Sequence, residues 1–188
     1  MPVDSPNNTA SEPLSQLLLP IQPEDHIEGS PHARYTLVEY GDYECPACGQ
    51  LFQTIRQLHK QFGDDVRLVF RHYPLSGIHP HAEQAAEAVE AAGAQGRFWE
   101  MHDLLFDHQD ALRTKDLYTY CGQLGLDSKR FRDELKEHKY EDRVREDFRR
   151  GVANGVYGTP GLFVNGIRHN GGLDLDSILG KLKEVGPA

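Results

Sequence analysis

Cysteine is scarce in this chain: three residues in 188. So few exclude a disulfide-stapled scaffold, and an odd number leaves one thiol over. Basic residues are in deficit too, 20 against 29 acidic, for a net charge of −9. That excludes nucleic acid as the main partner, because binding phosphates needs a surplus of Lys and Arg. No apolar run approaches the ~20 residues that cross a bilayer, so no membrane partner is expected. The first residues, MPVDSPNNTASEPLSQLLLPIQPEDH, place no Lys or Arg ahead of the Leu17–Leu19 cluster. That cluster is also shorter than the ~7–15-residue apolar core of a secretory signal, and a cytoplasmic location is expected.

What is present suits a globular protein: 38% hydrophobic and 26% charged residues, in a length that supports one domain with a sizeable core. Residues 1–34 are rich in Pro, Asn and Ser without a sustained period and read as an irregular arm. TLVEY (36–40) is an apolar run of strand type, closed by Gly41-Asp42. From Pro46 the period changes to helical, with Leu51, Phe52, Ile55, Leu58 and Phe62 three and four residues apart. VRLVF (66–70) is a second strand. Residues 79–150 read as several helices, Ala- and Glu-rich at first. GLFVNG (161–166) is a third strand ending in the strongest short hairpin signal, IRHNG its return, and LDLDSILGKLKEV a closing amphipathic helix. A β-α-β opening favours a right-handed parallel crossover. The expected fold is α/β: a four-stranded mixed sheet flanked by helices, with halves at 35–78 and 151–188 and a helical insertion at 79–150, in one domain.

The chemistry concentrates in ECPACG. Cys45 follows a strand-to-helix turn, and Pro46 suits the first helical position. Unpaired N–H groups and the helix dipole favour negative charge there. Such sites lower a Cys pKa from about 8.5 to roughly 3.5–7.5, giving a nucleophilic thiolate. Cys48 lies one turn deeper on the same face, placed to close a disulfide with Cys45. Zinc is the competing use of a CxxC pair. It needs two more ligands from Cys121 and the ten histidines, notably His79 and His81, and their spacing matches no common finger or ribbon, so no metal is expected. A four-residue loop also gains little as a structural staple. Far along the chain, VYGTPGLFVNG puts Thr159-Pro160 at a strand start, where Pro costs no ladder bond.

With these pieces on one chain, residues 35–185 resemble the DsbA-like thiol–disulfide oxidoreductases of the thioredoxin superfamily. The resemblance rests on ECPACG after the first strand, the mid-fold helical block, GTPGLFVNG and the closing helix. It implies that Pro160 is cis and faces the cysteine pair, and that Thr159, with Pro46 and Ala47, meets an extended substrate chain by strand-like pairing. Gly161 departs from the Thr often found after this Pro. Pro46-Ala47 departs from the Pro-His of strongly oxidising members, so no histidine is expected near Cys45, and the potential should be less oxidising than about −120 mV. The resemblance also implies a proton relay at Glu39, beneath the cysteines; an outward-facing carboxylate on an alternating strand is the plainer reading of the same residue.

Cys121 and Trp99 read as packing residues, His79 and His81 as surface or capping residues, His72-Tyr73-Pro74 as a possible border of the site, and KEHKYEDRVREDFRR as a solvated helix face. The function expected is thiol–disulfide exchange on protein substrates or glutathione-type thiols without a bound cofactor, by a monomer or weak homodimer. The alternative is a thioredoxin-like binding, chaperone or zinc module without redox turnover.

Overall fold

The computed structural model describes residues 16–188; residues 1–15 of the expected arm lie outside the described residues. The apolar run near residue 36 forms strand β2 (Tyr35–Gly41), buried along nearly its whole length. It pairs in parallel with β3 (Val66–His72) and antiparallel with β4 (Gly161–Val164). Strand β5 (Ile167–His169) returns antiparallel to β4 through Asn165 and Gly166, both at positive φ, as the two-residue turn requires.

A fifth strand, β1 (His26–Glu28), pairs antiparallel with β3, giving the order β1-β3-β2-β4-β5. The sequence reads as an irregular arm here because His-Ile-Glu has no pattern of its own. Pairing with the exposed edge of β3 orders it, which is tertiary context overriding local propensity.

Helices α1 (Pro46–Phe62) and α7 (Leu175–Val185) cover one face of the sheet, burying Leu37, Leu51, Leu58, Leu162 and Ile178. The opposite face, with Val38, Tyr40, Val69 and Phe163, lies under Leu17, Ile21 and Phe148 of α6 (Glu141–Ala153). Both faces of β2 are therefore covered. The inserted block comprises α2 (Ala82–Gly93), α3 (Phe98–Asp107), α4 (Thr114–Gln123), α5 (Ser128–Lys136) and α6. Its core of Ala88, Met101, Leu105 and Phe131 is continuous with Tyr43, Cys48 and Phe52. Trp99 packs against this core, and Cys121 is buried within it.

The chain before β1 is held by a buried polar network. Arg71 has no exposure and makes a two-point ion pair with Asp25, at 2.9 and 2.7 Å. It also donates to Tyr40 Oη and to the Pro20 carbonyl. Asn154 Oδ1 accepts the Leu18 and Leu19 N–H groups at 2.6 and 3.0 Å. Burial alone would raise the Asp25 carboxyl; the Arg71 guanidinium holds it below the usual range.

The charged run read as a solvated face is only partly so. Asp147 is fully buried and accepts the His72 N–H at 3.1 Å. The inward stripe of α6 is Val144, Asp147 and Gly151, correctly spaced but not apolar, which hid it from a hydrophobic reading. A Cβ on Gly151 would stand 2.5 Å from the Tyr73 ring, so only glycine lets α6 approach the sheet this closely.

Candidate active site

Strand β2 ends at Gly41, and the turn through Asp42 and Glu44 delivers Cys45 as the N-cap of α1, with Pro46 in its first turn. No side chain caps this helix, so its first amides are free to face the sulfur. The Cys45 thiol is lowered to about 5. The hydrogen bond from Cys48 is the largest cause and outweighs burial; the Ala47 and Cys48 amides add to it. Cys48 moves the other way, well above the ordinary thiol, because it is fully buried and because it hydrogen-bonds Cys45 and faces Glu39. The two sulfurs therefore hold unequal claims on one proton at neutral pH. Titrating thiolate absorbance near 240 nm should give a midpoint near 5 for the wild type. A higher midpoint is expected in Cys48→Ala, which removes the S–H donor; equal midpoints would remove the Cys48 hydrogen bond as the main cause.

Glu39 cannot face outward, because β2 has no open face. It is 1% exposed, and its Oε1 has no hydrogen-bond partner. Burial first, and then the charge of Cys45, push its carboxyl up to about 8, against a hydrogen bond to Cys48. Alternation along the strand places it on the same face as Leu37, beneath α1.

The Thr159–Pro160 bond is cis. Cys45 Sγ lies 3.4 Å from the Thr159 carbonyl, to which the thiol donates. Gly161 follows because a Cβ there would stand 2.8 Å from Val156, so this packing accounts for the departure from Thr. The fold thus gathers Cys45, Cys48, Glu39, Thr159 and Pro160, with Pro46 exposed and Ala47 half-buried beside them.

Several contributors escaped the sequence reading. Gln109, between α3 and α4, donates its Nε2 to the carbonyls of Tyr43 and Cys45 at 2.9 and 2.8 Å. Nothing local marks it. Asp42 accepts from the Glu44 and Leu75 amides and pairs with His79 at 2.8 Å, and Glu44 pairs with His81 at 2.7 Å. His79 and His81 are therefore tied to the turn that carries Cys45, not free surface residues. Of His72-Tyr73-Pro74, the His72 ring turns into the interior and meets Glu90, while the Tyr73 N–H donates to the Gly41 carbonyl where the active-site turn begins.

Among the described residues, His26, His72 and Glu90 are the group whose donor atoms converge as metal ligands would. Glu90 Oε1 already accepts from both imidazole Nε2 atoms, at 2.8 and 2.9 Å, and Arg143 Nε stands 3.8 Å from it. The three residues join β1, β3 and α2 through buried polar contacts.

A pair of cysteines placed at a helix start, on a mixed sheet whose final hairpin follows an inserted helical block, is the arrangement of a thioredoxin-like fold. The family described as thioredoxin matches residues 22–184, and the chain belongs to it. Similar solved structures include oxidised BdbD from Bacillus subtilis, with a TM-score of 0.81, 22% identity and coverage of 93% of this chain and 98% of that one. A thioredoxin-like oxidoreductase from Silicibacter pomeroyi gives 0.76 at 22% identity, covering 87% and 93%. Among curated relatives, "Na(+)/H(+) antiporter NhaA 1" of Salinispora arenicola is 47% identical over 169 residues, 89% of this chain and 26% of that protein. The chain spans about a quarter of the length of the curated relatives it matches. Antiport belongs to the names of those longer proteins; among the described residues no helix is long and apolar enough to cross a membrane.

Proposed function

We propose that this protein exchanges thiols and disulfides with cysteine-bearing proteins or small thiols, through Cys45 and Cys48. The observation that carries the reading is the opposed displacement of the two sulfurs above a buried carboxyl: Cys45 down to about 5, Cys48 up, and Glu39 up to about 8. An attacking thiol is most effective as a thiolate at ambient pH, and a resolving thiol is best kept protonated until needed.

In the reducing direction the Cys45 thiolate attacks one sulfur of a substrate disulfide. That bond breaks, a Cys45–substrate disulfide forms, and the departing substrate thiolate takes a proton from water. With Cys45 held in the mixed disulfide its charge no longer raises Glu39, and Cys48 gives its proton to the ionised fraction of that carboxyl and attacks Cys45 Sγ. The second substrate thiolate leaves, so the substrate gains two electrons and the Cys45–Cys48 disulfide holds the oxidised state. The oxidising direction reverses each step, with Glu39 returning the proton to Cys48. Thr159 offers main-chain groups to the extended substrate beside Cys45. In the cytoplasm expected from the sequence, a thiol pool reduces the pair and the net flow is reduction; an oxidising compartment reverses it.

The test is equilibration with glutathione buffers of graded ratio, followed by alkylation and mass counting of free thiols. Cys45 and Cys48 should convert together at one midpoint, and Cys45→Ser should abolish insulin reduction. A pair that never closes, or closes only after a chelator has stripped zinc, would sink this reading in favour of a binding module.

A further inference from the structure

The sequence places no histidine between the cysteines, yet the fold brings one from elsewhere to the turn that carries Cys45. The loop after β3 folds back over the active-site turn and is fixed there at three points. The Leu75 N–H donates to Asp42 Oδ2 at 2.9 Å, His79 Nδ1 meets the same oxygen at 2.8 Å, and Glu44 clasps His81 through both backbone and ring, each at 2.7 Å. Asp42 is 1% exposed and is itself built into the dithiol: its carbonyl accepts the Cys45 N–H at 3.1 Å, and its own N–H reaches Cys48 Sγ at 3.5 Å.

We propose that His79 is a positioning residue for the thiol exchange: an imidazolium, locked by Asp42, that offsets negative charge around the Cys45 thiolate from outside the CxxC motif. This deepens the thiol-exchange reading and rests on it.

The charges facing His79 are those of Asp42 at the end of β2, Glu44 in the turn and Cys45 at the start of α1. All three are anionic when Cys45 is a thiolate, and His81 is engaged with Glu44. Burial alone would lower the His79 imidazole; the hydrogen bond and charge of Asp42, with Cys45 and Glu44 behind it, raise it above the ordinary value. His79 is thereby kept charged further into the neutral range. Losing its charge has one sign at Cys45 whichever group lies nearer the sulfur. The thiolate loses an attracting cation, and the buried Asp42 carboxylate loses its neutralising partner. Both destabilise the thiolate, and hence the reduced protein.

The test compares wild type, His79→Gln and His79→Arg. In His79→Gln the thiolate midpoint should rise by about half a unit to one unit, less than the roughly 1–3 units of a contacting opposite charge, because His79 meets Asp42 and not the sulfur. The glutathione equilibrium at pH 7 should move toward the disulfide by roughly three- to tenfold, the same free energy read a second way. His79→Arg should recover most of both shifts, which a purely structural role of the ring would not allow. Coupling is reciprocal, so an NMR titration of the His79 ring should show a lower pKa in Cys45→Ser than in the reduced wild type. That arm needs no variant at residue 79 and holds if His79→Gln folds poorly. A His79→Gln midpoint equal to wild type, or a His79 ring indifferent to Cys45, would overturn the proposal. The thiolate midpoint needs only a free thiol. A wild-type pair that never closes in glutathione would therefore refute the exchange reading without deciding this one.

Discussion

Glu39→Gln should make the protein both more stable and slower. The carboxyl is raised from 4.5 to about 8 by burial. Its contribution to stability is fully present below pH 4.5 and is lost as pH rises toward 8, because the folded chain holds a proton there that the unfolded chain has released. A neutral amide of the same shape removes that loss. In the reduced protein the gain at pH 7 approaches roughly 3 kcal/mol before the cost of burying the amide. Denaturant melts of both reduced proteins from pH 4 to 9 should show the stability difference, variant minus wild type, growing across this window, while the lowered Cys45 thiol adds the same rising background to each. The same change deprives Cys48 of its proton acceptor. Loss of a positioned general base costs about 10²-fold or more, so release of a fluorescent peptide from a Cys45 mixed disulfide should slow by that order. Matching release rates across pH 6–9 would dismiss the relay, and parallel stability curves would dismiss the buried, protonated carboxyl.

The second large effect is far from the sulfurs. Asp25→Ala leaves the Arg71 guanidinium, itself without exposure, facing no carboxylate in the interior. Breaking a buried pair from one side costs about 3–5 kcal/mol. For a chain of this size the melting temperature should fall by roughly 6–20 °C. Joining Asp25→Leu to Arg71→Met should recover part of the loss, because Arg71 is then not stranded, while Arg150, 3.2 Å from Asp25, still loses its nearer carboxylate. The Cys45 titration should stay at its wild-type midpoint. A single-variant loss below about 1 kcal/mol would mean that water reaches Arg71 and that the network is no staple.

Much of this was legible from residue order. The strand-to-helix turn at Cys45, the Asn165-Gly166 hairpin and the α7 face of Ile178 and Leu182 are local patterns, and each forms where its period and turn chemistry put it. What escaped depends on partners distant in the chain. Strand β1 exists because β3 has an edge to fill. The inward orientation of Glu39 follows from cover on both sides of β2, which alternation alone cannot reveal. His79 and Asp42 are 37 residues apart, and Gln109 and Cys45 are 64 apart, so no spacing rule joins them.

Gln109 has a meaning for how such proteins diversify. Two carbonyls of the reactive turn depend on one amide borrowed from the inserted block. The block is therefore not an ornament that recombination could exchange freely: a transplanted helical segment without a donor at this place would leave the turn slack and two acceptors unanswered. A lineage can vary the outer surfaces of these helices cheaply, while the short link between α3 and α4 must change in step with the cysteine turn.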